Sequence, residues 1–455
     1  MRLEFFAVSA VSVLVLAWTG RASGETLTDA LVDAYTSNPQ ILAERANLRA
    51  TDEGVPQALS GWRPTVTFTG SIGAQHLDNS PTTPIAPNSK TVPKIVDLNI
   101  NQPLYSGGRT VALTAEAEKN IEAERARNIA TEESVFLSVT QAYLDVVRDQ
   151  ATLDLSINNE QVLRRQLEAT NDQFRVGAVT LTDVAQAEAR LAGATASRQQ
   201  AEGNLQVSRA NYARAVGHVP PGRLAQPTFT PVLPANRDEA ISLAGVKNPT
   251  VVAAIFTEDA ARDTVDATRG QLLPQIALVG DLNQSNETLA VGQDVTTSSV
   301  VARVTVPVYE GGNIYSQTRQ ASQVVGQRLS QTDDARRAAI QGATQAWEQI
   351  VSGRAQIVSL ESTIRAADIA LDGVRQEALV GSRTVLDVLN AEQELFTDRV
   401  QLVTAQHDLA VAEFTLASQI GRLTAADLRL PVKLYEVDRH YESVRNKWLG
   451  FGAKD

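Results

Sequence analysis

Two stretches of this chain match each other, and each has the pattern of a turn between two long helices. Val, Gly, Thr, Asp and Val recur at the same places in 176–184 and 380–388. Each Gly follows a long run without proline, and a second helical run leaves after a short polar turn. Gly tolerates the left-handed conformation that ends a helix, and Thr or Ser favours the start of the next one. The sequence therefore predicts two helical hairpins with matching tips.

The match extends over most of the chain. Pro-x-Tyr-x-Gly-Gly occurs at 103–108 and again at 307–312, and Asn38-Pro39 corresponds to Asn248-Pro249. The offset between the copies changes only across a proline-rich loop near 75–94, as expected for a duplicated unit. The predicted organisation is a first repeat at 25–216, a proline-rich linker at 217–237, a second repeat at 238–421 and a C-terminal tail at 422–455.

The first 24 residues have the pattern of a secretory signal peptide. Arg2 precedes an apolar run, and small residues at 22–24 form a candidate cleavage site before Glu25. Past this segment we expect no transmembrane helix, because no apolar stretch approaches 18 residues. The chain has no cysteine, which excludes disulfides, thiol catalysis and cysteine metal sites. Its net charge of −11 argues against a nucleic-acid partner.

Each repeat contains two segments in which apolar and polar residues alternate. Val66, Phe68 and Ile72 alternate with Thr and Ser, and the same period recurs in the other three segments. Segments of about ten residues with one apolar face are typical of membrane barrel strands, although a soluble antiparallel sheet alternates as well. The predicted strands lie near 65–73, 95–103, 274–283 and 299–308.

Long helical hairpins follow each pair of strands, at 110–216 and 313–421. The outgoing helices have no proline, and the returning helices carry a heptad pattern of Leu, Val and Ala that Arg198 interrupts in the first copy. Aromatic residues make up only 5% of the chain, and the small Ala residues favour close packing of helix against helix. Helices of this length predict a coiled-coil-like bundle.

Four amphipathic strands cannot close a barrel by themselves, and an open sheet edge is not viable in lipid. Bacterial outer-membrane barrels have an even number of strands and at least eight. If these strands span a membrane, the protein must pool them in an oligomer. A trimer gives twelve strands, and a dimer gives the minimum of eight.

These features together resemble the TolC family of outer-membrane efflux and secretion channels. The resemblance covers about residues 25–430: the duplicated plan, the Pro-x-Tyr-x-Gly-Gly turns and the two hairpin tips. It implies an α/β membrane protein built from a duplicated strand–strand–long helix–helix unit. It also implies a homotrimer with a twelve-stranded β-barrel in the cell outer membrane, continuous with a long α-helical barrel in the periplasm. The implied partners are a periplasmic adaptor (membrane-fusion) protein and an inner-membrane efflux transporter.

The resemblance also assigns expected roles to residues at the tips. Asp387 would lie at the periplasmic entrance, where threefold symmetry gathers three carboxylates into a cation-attracting ring. The alternative is an exposed Asp that stabilises its own helix dipole. Many relatives carry a second acidic residue one turn later, where this chain has Asn390, so we expect weaker cation binding.

Arg383 could form a closed-state latch with Thr182 or Asp183 of the other hairpin, since an Arg contact to a carboxylate is directional. The alternative is a solvated arginine of the turn. Where relatives have a latch Tyr, this chain has Ala378. The expected adaptor-docking residues are the remaining members of the two turns. They are Gly177, Val179, Thr180, Gly381, Ser382 and Thr384.

No motif in the sequence indicates catalysis, a cofactor or a metal site. The four histidines are isolated in sequence, and no phosphate-binding loop or nucleophile elbow occurs. Paired carboxylates such as Glu132-Glu133 and Asp333-Asp334 are expected on solvated helix faces. The predicted function is an exit duct of tripartite efflux pumps for toxic small molecules such as drugs, bile salts and dyes. The alternatives are an exit duct for type I protein secretion and a non-channel coiled-coil structural protein of the periplasm.

Overall fold

The computed structural model describes residues 25–78, 89–227, 229–288 and 291–452. The predicted signal peptide at 1–24 and half of the proline-rich loop, residues 79–88, lie outside these ranges. The helices are α1 (Leu27–Ser37), α2 (Pro39–Asp52), α3 (Gly54–Leu59), α4 (Arg109–Arg175), α5 (Leu181–Val216), α6 (Arg237–Lys247), α7 (Pro249–Arg269), α8 (Asn313–Leu379), α9 (Val385–Gln419) and α10 (Val437–Val444). The strands are β1 (Thr65–Ile72), β2 (Gln75–Leu77), β3 (Ser89–Thr91), β4 (Lys94–Ser106), β5 (Gln275–Asn286) and β6 (Asp294–Thr305).

The outgoing helices of the two hairpins are the longest elements of the structure. α4 and α8 each contain 67 residues, which corresponds to about 100 Å at 1.5 Å per residue. Each begins after a glycine in the left-handed conformation, Gly108 or Gly312. α5 and α9 return along them, so the helices form two long antiparallel hairpins. The Pro-free runs in the sequence are continuous helices.

Four strands form one antiparallel sheet in the order β1-β4-β5-β6. The central pair, β4 with β5, joins the first repeat to the second. Among the strands that the structure describes, β1 and β6 form the two edges of this sheet. Each repeat therefore contributes one hairpin to a sheet that neither repeat forms alone.

In the central part of the sheet the register brings several apolar residues opposite apolar ones and polar residues opposite polar ones, although Leu282 pairs with Ser298. Phe68 pairs with Leu98, which pairs with Leu282. On the other face, Asp97 pairs with Asn283, whose side-chain amide donates to the Asp97 carboxylate at 3.3 Å. The alternation read from single segments thus extends across the sheet, giving it one largely apolar and one polar face.

The strands of the first repeat differ from those predicted. β4 continues through Pro103 to Ser106, beyond the expected end of the strand, and a register irregularity lies between Pro103 and Tyr105. Proline removes only one amide donor, and an irregularity of the ladder accommodates that loss. The predicted loop near 75–94 also contains a short hairpin, in which β2 pairs with β3.

Two apolar clusters fill the helical part beside the strands. The first contains the five aromatic side chains that are buried among the described residues, namely Tyr35, Phe136, Tyr143, Tyr212 and Phe414. The second lies between α6, α7, α8 and α9 and is rich in alanine. Small side chains allow helix axes to approach closely. The buried aromatic side chains are therefore concentrated in one cluster, which draws on α1, α4, α5 and α9.

The C-terminal tail is ordered and packs against α4. It contains α10, and Leu423 and Ala425 are buried in the aromatic cluster. The backbone amide of Leu423 donates to Glu133 at 3.1 Å, and that of Ala425 donates to Glu132 at 2.6 Å. The expected solvated face at Glu132-Glu133 is therefore wrong. These carboxyls hold the tail on α4, because unpaired backbone amides in a buried segment need acceptors.

Residues Arg237–Leu272 are long and apolar enough, by length and composition alone, to cross a membrane. This differs from the expectation that no such stretch follows the predicted signal peptide. The segment is interrupted at Asn248, whose side-chain carbonyl caps α7 and whose amide donates to the backbone of Gln419. Val251 and Ala244 of the two pieces pack into the alanine-rich cluster. Packing against neighbouring helices explains the apolar composition.

Candidate functional site

The candidate site is formed by the two hairpin tips, which end α4 and α8 in the same way. Gly177 and Gly381 have positive φ angles of 80° and 79°. In the first tip, the amide of Ala178 donates to the carbonyl of Gln173 at 2.9 Å; in the second, the amide of Ser382 donates to that of Glu377 at 3.0 Å. These bonds satisfy carbonyls that the end of a helix leaves free. The tips are therefore compact turns with fixed geometry.

A reciprocal capping box starts the returning helix at each tip. The Asp183 carboxylate accepts hydrogen bonds from the backbone amide and hydroxyl of Thr180, and the Asp183 amide donates to that hydroxyl. Asp387 and Thr384 form the same three bonds. Such a box satisfies free donors at the helix start. Both aspartates thus have a local structural role in addition to any role at the entrance.

The pKa of Asp387 is lowered from its ordinary value, chiefly by the hydrogen bond from the Thr384 backbone amide, then by the Thr384 hydroxyl and the nearby Arg383 charge. Hydrogen bonds to a carboxylate favour its ionised form. Asp387 is therefore a permanent negative charge at neutral pH, as a cation-attracting position requires.

Arg383 has a partner inside its own hairpin in this structure. Its Nε donates to the Glu377 carboxylate at 2.8 Å, and both side chains are about half exposed. The contact raises the pKa of Arg383. Thr182 is exposed on the first tip, while the Asp183 carboxylate serves its capping box. The single chain brings Arg383 to neither of its expected latch partners, and Glu377 was not anticipated from the sequence.

Asn390 connects the two hairpins. Its side-chain oxygen accepts a hydrogen bond from Arg190 of α5 at 2.9 Å. An apolar cluster continues this contact: Val385 and Leu389 of α9 pack with Leu163 of α4, with Val179 partly buried against them. Val179, expected at the docking surface, therefore also contributes to packing between the hairpins.

Two charged pairs stabilise the hairpins behind the tips. Arg198, which interrupts the heptad pattern of α5, donates to Glu160 of α4 at 2.6 Å. In the second hairpin, Arg375 pairs with the buried Glu392. The polar interruption in the first seam is thus a cross-helix ion pair. Only the break in the heptad pattern at Arg198 could have indicated it from sequence.

Apolar side chains are exposed around both turns. Val176 is 78% exposed and Val380 is 79% exposed, with Leu181 and Leu379 also open to solvent. Exposed apolar groups gathered at one end of a molecule often mark an interaction surface. Gly177, Thr180, Gly381, Ser382 and Thr384 lie between these side chains and are themselves exposed.

Comparison with known proteins identifies the family. A family model described as outer membrane efflux protein matches residues 30–218 and 240–422. The chain belongs to the outer membrane efflux protein family. The outer membrane efflux protein BepC of Brucella suis biovar 1 is 34% identical over 439 residues, covering 96% of this chain and 94% of BepC. Membership places this protein in the outer membrane and among channels.

Two further relatives of this outer membrane efflux protein are informative. The alkaline protease secretion protein AprF of Pseudomonas aeruginosa is 28% identical over 316 residues, covering 68% of this chain and 65% of AprF. The crystal structure of VceC from Vibrio cholerae superposes with a TM-score of 0.77 at 20% identity, covering 87% of this chain and 96% of VceC. The VceC match shows the fold. BepC and AprF show that the family includes both efflux and secretion proteins.

Proposed function

We propose that this protein is the outer-membrane exit duct of a tripartite efflux pump and works as a homotrimer. The observation that carries the proposal is the four-stranded sheet, which has two open edges among the described strands and apolar side chains exposed on one face. An open edge in lipid leaves backbone groups unsatisfied. Three copies of the sheet joined edge to edge would give a closed twelve-stranded barrel, an even number as such barrels have.

The two faces of the sheet support this arrangement. Phe68 and Ile72 are 70% and 71% exposed in the single chain and would face lipid. The opposite face carries Asp97, Asn283 and Asp281 and would line a water-filled lumen. The helical hairpins would continue the lumen through the periplasm as an α-helical barrel. The duct itself is passive, and an inner-membrane efflux transporter would supply the energy.

The hairpin tips form the periplasmic entrance in this proposal. Three Asp387 carboxylates around the threefold axis would make an acidic ring, and Asn390, held by Arg190, adds no second charge to it. Gly177, Val179, Thr180, Gly381, Ser382 and Thr384 would dock a periplasmic adaptor protein. The exposed apolar side chains beside these turns support that role, since an adaptor would cover them.

Arg383 would act as a latch only when it leaves Glu377. In a trimer, Thr182 and Asp183 of a neighbouring hairpin compete with Glu377 for its guanidinium. Both members of the present pair are about half exposed, so their contact is weak and exchange is inexpensive. Closed and open states would then differ in the partner that Arg383 contacts.

Type I protein secretion is a second candidate function, favoured by the similarity to AprF, which is named for secretion of alkaline protease. The same barrel and hairpin tips could export either small molecules or secreted proteins. A non-channel structural role in the periplasm is disfavoured, because the family consists of outer-membrane channels. A deletion strain separates the first two. Increased sensitivity to bile salts, dyes and drugs supports efflux, whereas loss of a secreted protein with unchanged sensitivity supports secretion.

The channel proposal is tested by single-channel conductance of the purified protein in planar bilayers. We expect a small discrete conductance that a polyvalent cation blocks from the periplasmic side in the wild type and not in Asp387→Ala. Asp183→Ala is the matched control for cation block alone, because it removes the same capping box from the other hairpin, while its leak is not compared since Asp183 is also a proposed latch partner. Equal block in all three proteins would refute the acidic ring, and absence of conductance from a folded oligomer would refute the duct.

The latch is tested in the same bilayers. Arg383→Ser should raise the leak conductance of the closed state, and Glu377→Gln should lower it by freeing Arg383 for the neighbouring hairpin. An unchanged leak in Arg383→Ser would remove the latch from the mechanism.

A further inference from the structure

A cluster far from the tips has the composition of a metal site. Glu25 precedes α1, Asp33 lies on α1, and His218 follows α5 in the linker between repeats. One ligand atom from each lies within 4.8 Å of the others. Asp33 and His218 are 185 residues apart in sequence, so spacing alone could not indicate the site.

We propose that Glu25, Asp33 and His218 bind a divalent cation, with zinc as the preferred ion. The two distances from His218 fit a tetrahedral ion, and the two carboxylates lie within 4.8 Å of each other. His218 Nε2 lies 3.2 Å from Asp33 Oδ2 and 3.5 Å from Glu25 Oε1. Zinc bonds of about 2.0 to 2.2 Å in tetrahedral geometry separate neighbouring ligand atoms by about 3.4 Å.

The tautomer of His218 suits a metal ligand. Its Nδ1 lies 3.3 Å from the backbone carbonyl of Val219, which can only accept, so Nδ1 carries the proton. Nε2 then faces the two carboxylates and becomes a ligand atom when a cation replaces its proton. Histidine ligands commonly donate their second N–H to a backbone carbonyl, which fixes the ring in this way. His407 differs, because both of its ring nitrogens lie within 3.0 Å of carboxylate oxygens.

Glu25 supplies the second, independent observation. Its side chain is only 8% exposed, and neither carboxylate oxygen has a hydrogen-bond partner of good geometry among the described groups, although the Tyr212 hydroxyl, itself without a partner, lies nearby. A buried carboxylate without hydrogen bonds is costly, and a bound cation removes that cost. The Glu25 backbone lies against the aromatic cluster, because the Tyr143 hydroxyl, which donates to the Ala225 carbonyl at 2.7 Å, is also 3.0 Å from the Glu25 carbonyl.

The open side of the cluster leaves room for a water ligand. The side chains of Asp33 and His218 are 50% and 43% exposed, so solvent reaches the fourth position. One imidazole and two carboxylates favour zinc over magnesium, which prefers oxygen ligands in an octahedral site. A bound ion would connect the start of the first repeat to the linker that follows it, and it would stabilise the folded chain by mass action.

The test uses the full-length oligomer purified in detergent, stripped with EDTA and titrated with ZnCl₂ by isothermal titration calorimetry, with MgCl₂ as the comparison. We expect one zinc per protomer, a raised thermal midpoint and little response to magnesium. His218→Gln and Asp33→Asn should weaken zinc binding about tenfold or more. His440→Gln is the matched control, because His440 contacts Asp52 away from this cluster, and it should bind zinc as the wild type does.

Three results would overturn the proposal. They are absence of zinc binding to the wild type, equal binding of zinc and magnesium, and unchanged zinc affinity in both cluster variants. The first would identify His218 as a simple ion-pair partner of Asp33. The first two results are measured on the wild type, so the test stays decisive even if a substituted chain fails to fold.

Discussion

Glu133 should make the stability of this protein depend on pH in a direction opposite to that of most carboxyls. Its side chain lies on α4 under the C-terminal tail, and the residue is 2% exposed. Burial raises its pKa from 4.5 to about 8, and the nearby Asp427 and Glu132 charges add to the effect. The hydrogen bond from the Leu423 amide opposes the shift without cancelling it. At neutral pH the folded protein therefore holds a proton that the unfolded chain releases.

The sign follows from proton linkage. Below pH 4.5 both states hold the proton, and the stabilisation due to this group is complete. Between pH 4.5 and 8 only the folded state holds it, so stability falls as pH rises. Each pKa unit corresponds to about 1.4 kcal/mol, and the loss between pH 5.5 and 8 is about 3 kcal/mol per protomer. Glu133→Gln keeps an acceptor for the Leu423 amide and removes the proton equilibrium.

The assay is guanidinium unfolding in detergent followed by circular dichroism at pH 5.5 and pH 8, extrapolated linearly to zero denaturant. The wild type should lose about 3 kcal/mol more than Glu133→Gln over this interval. Asp334→Asn, an exposed carboxylate on α8, is the control and should follow the wild type. Parallel pH profiles for the wild type and Glu133→Gln would refute the reasoning, because they would show that Glu133 does not retain its proton when folded.

Four further substitutions, one of them a control, test the packing and the turns, each by its thermal or denaturant midpoint. Gly381→Ala should cost about 1 to 2 kcal/mol, because φ is 79° there, whereas Gly373→Ala inside α8, where a Cβ meets open space, should not destabilise. Tyr143→Phe should cost about 1 kcal/mol, since the hydroxyl donates to the Ala225 carbonyl at 2.7 Å. Phe414→Ala should cost about 3 to 5 kcal/mol by leaving a cavity in the aromatic cluster; a loss below 1 kcal/mol would contradict the assigned burial.

Local sequence patterns were sufficient to predict the long helices, the presence of the strands and the two hairpin tips. The 67-residue runs without proline, the left-handed glycines at 177 and 381 and the alternation in the strands depend on residues close together in the chain. The duplication strengthened each inference, because two copies rarely preserve the same accidental pattern. The capping role of Asp183 and Asp387 is also local, since each bonds only to the Thr three residues earlier.

Contacts between distant segments could not be read in the same way. In the sequence, Glu132 and Glu133 resemble any charged pair on a helix. Only the packed tail shows that their carboxyl oxygens accept hydrogen bonds from the backbone amides of Leu423 and Ala425. Arg383 could not be assigned to Glu377 from spacing, because a flexible side chain near a turn reaches several partners.

The sequence by itself determined the duplicated order of strands and long helices, because periodicity, glycine and proline act over a few residues. Tertiary structure decided that β4 pairs with β5 across the repeats, and that the tail packs on α4. It also brought Glu25, Asp33 and His218 together. These outcomes depend on how surfaces far apart in the chain meet and on which polar groups lose water there. No local pattern encodes either.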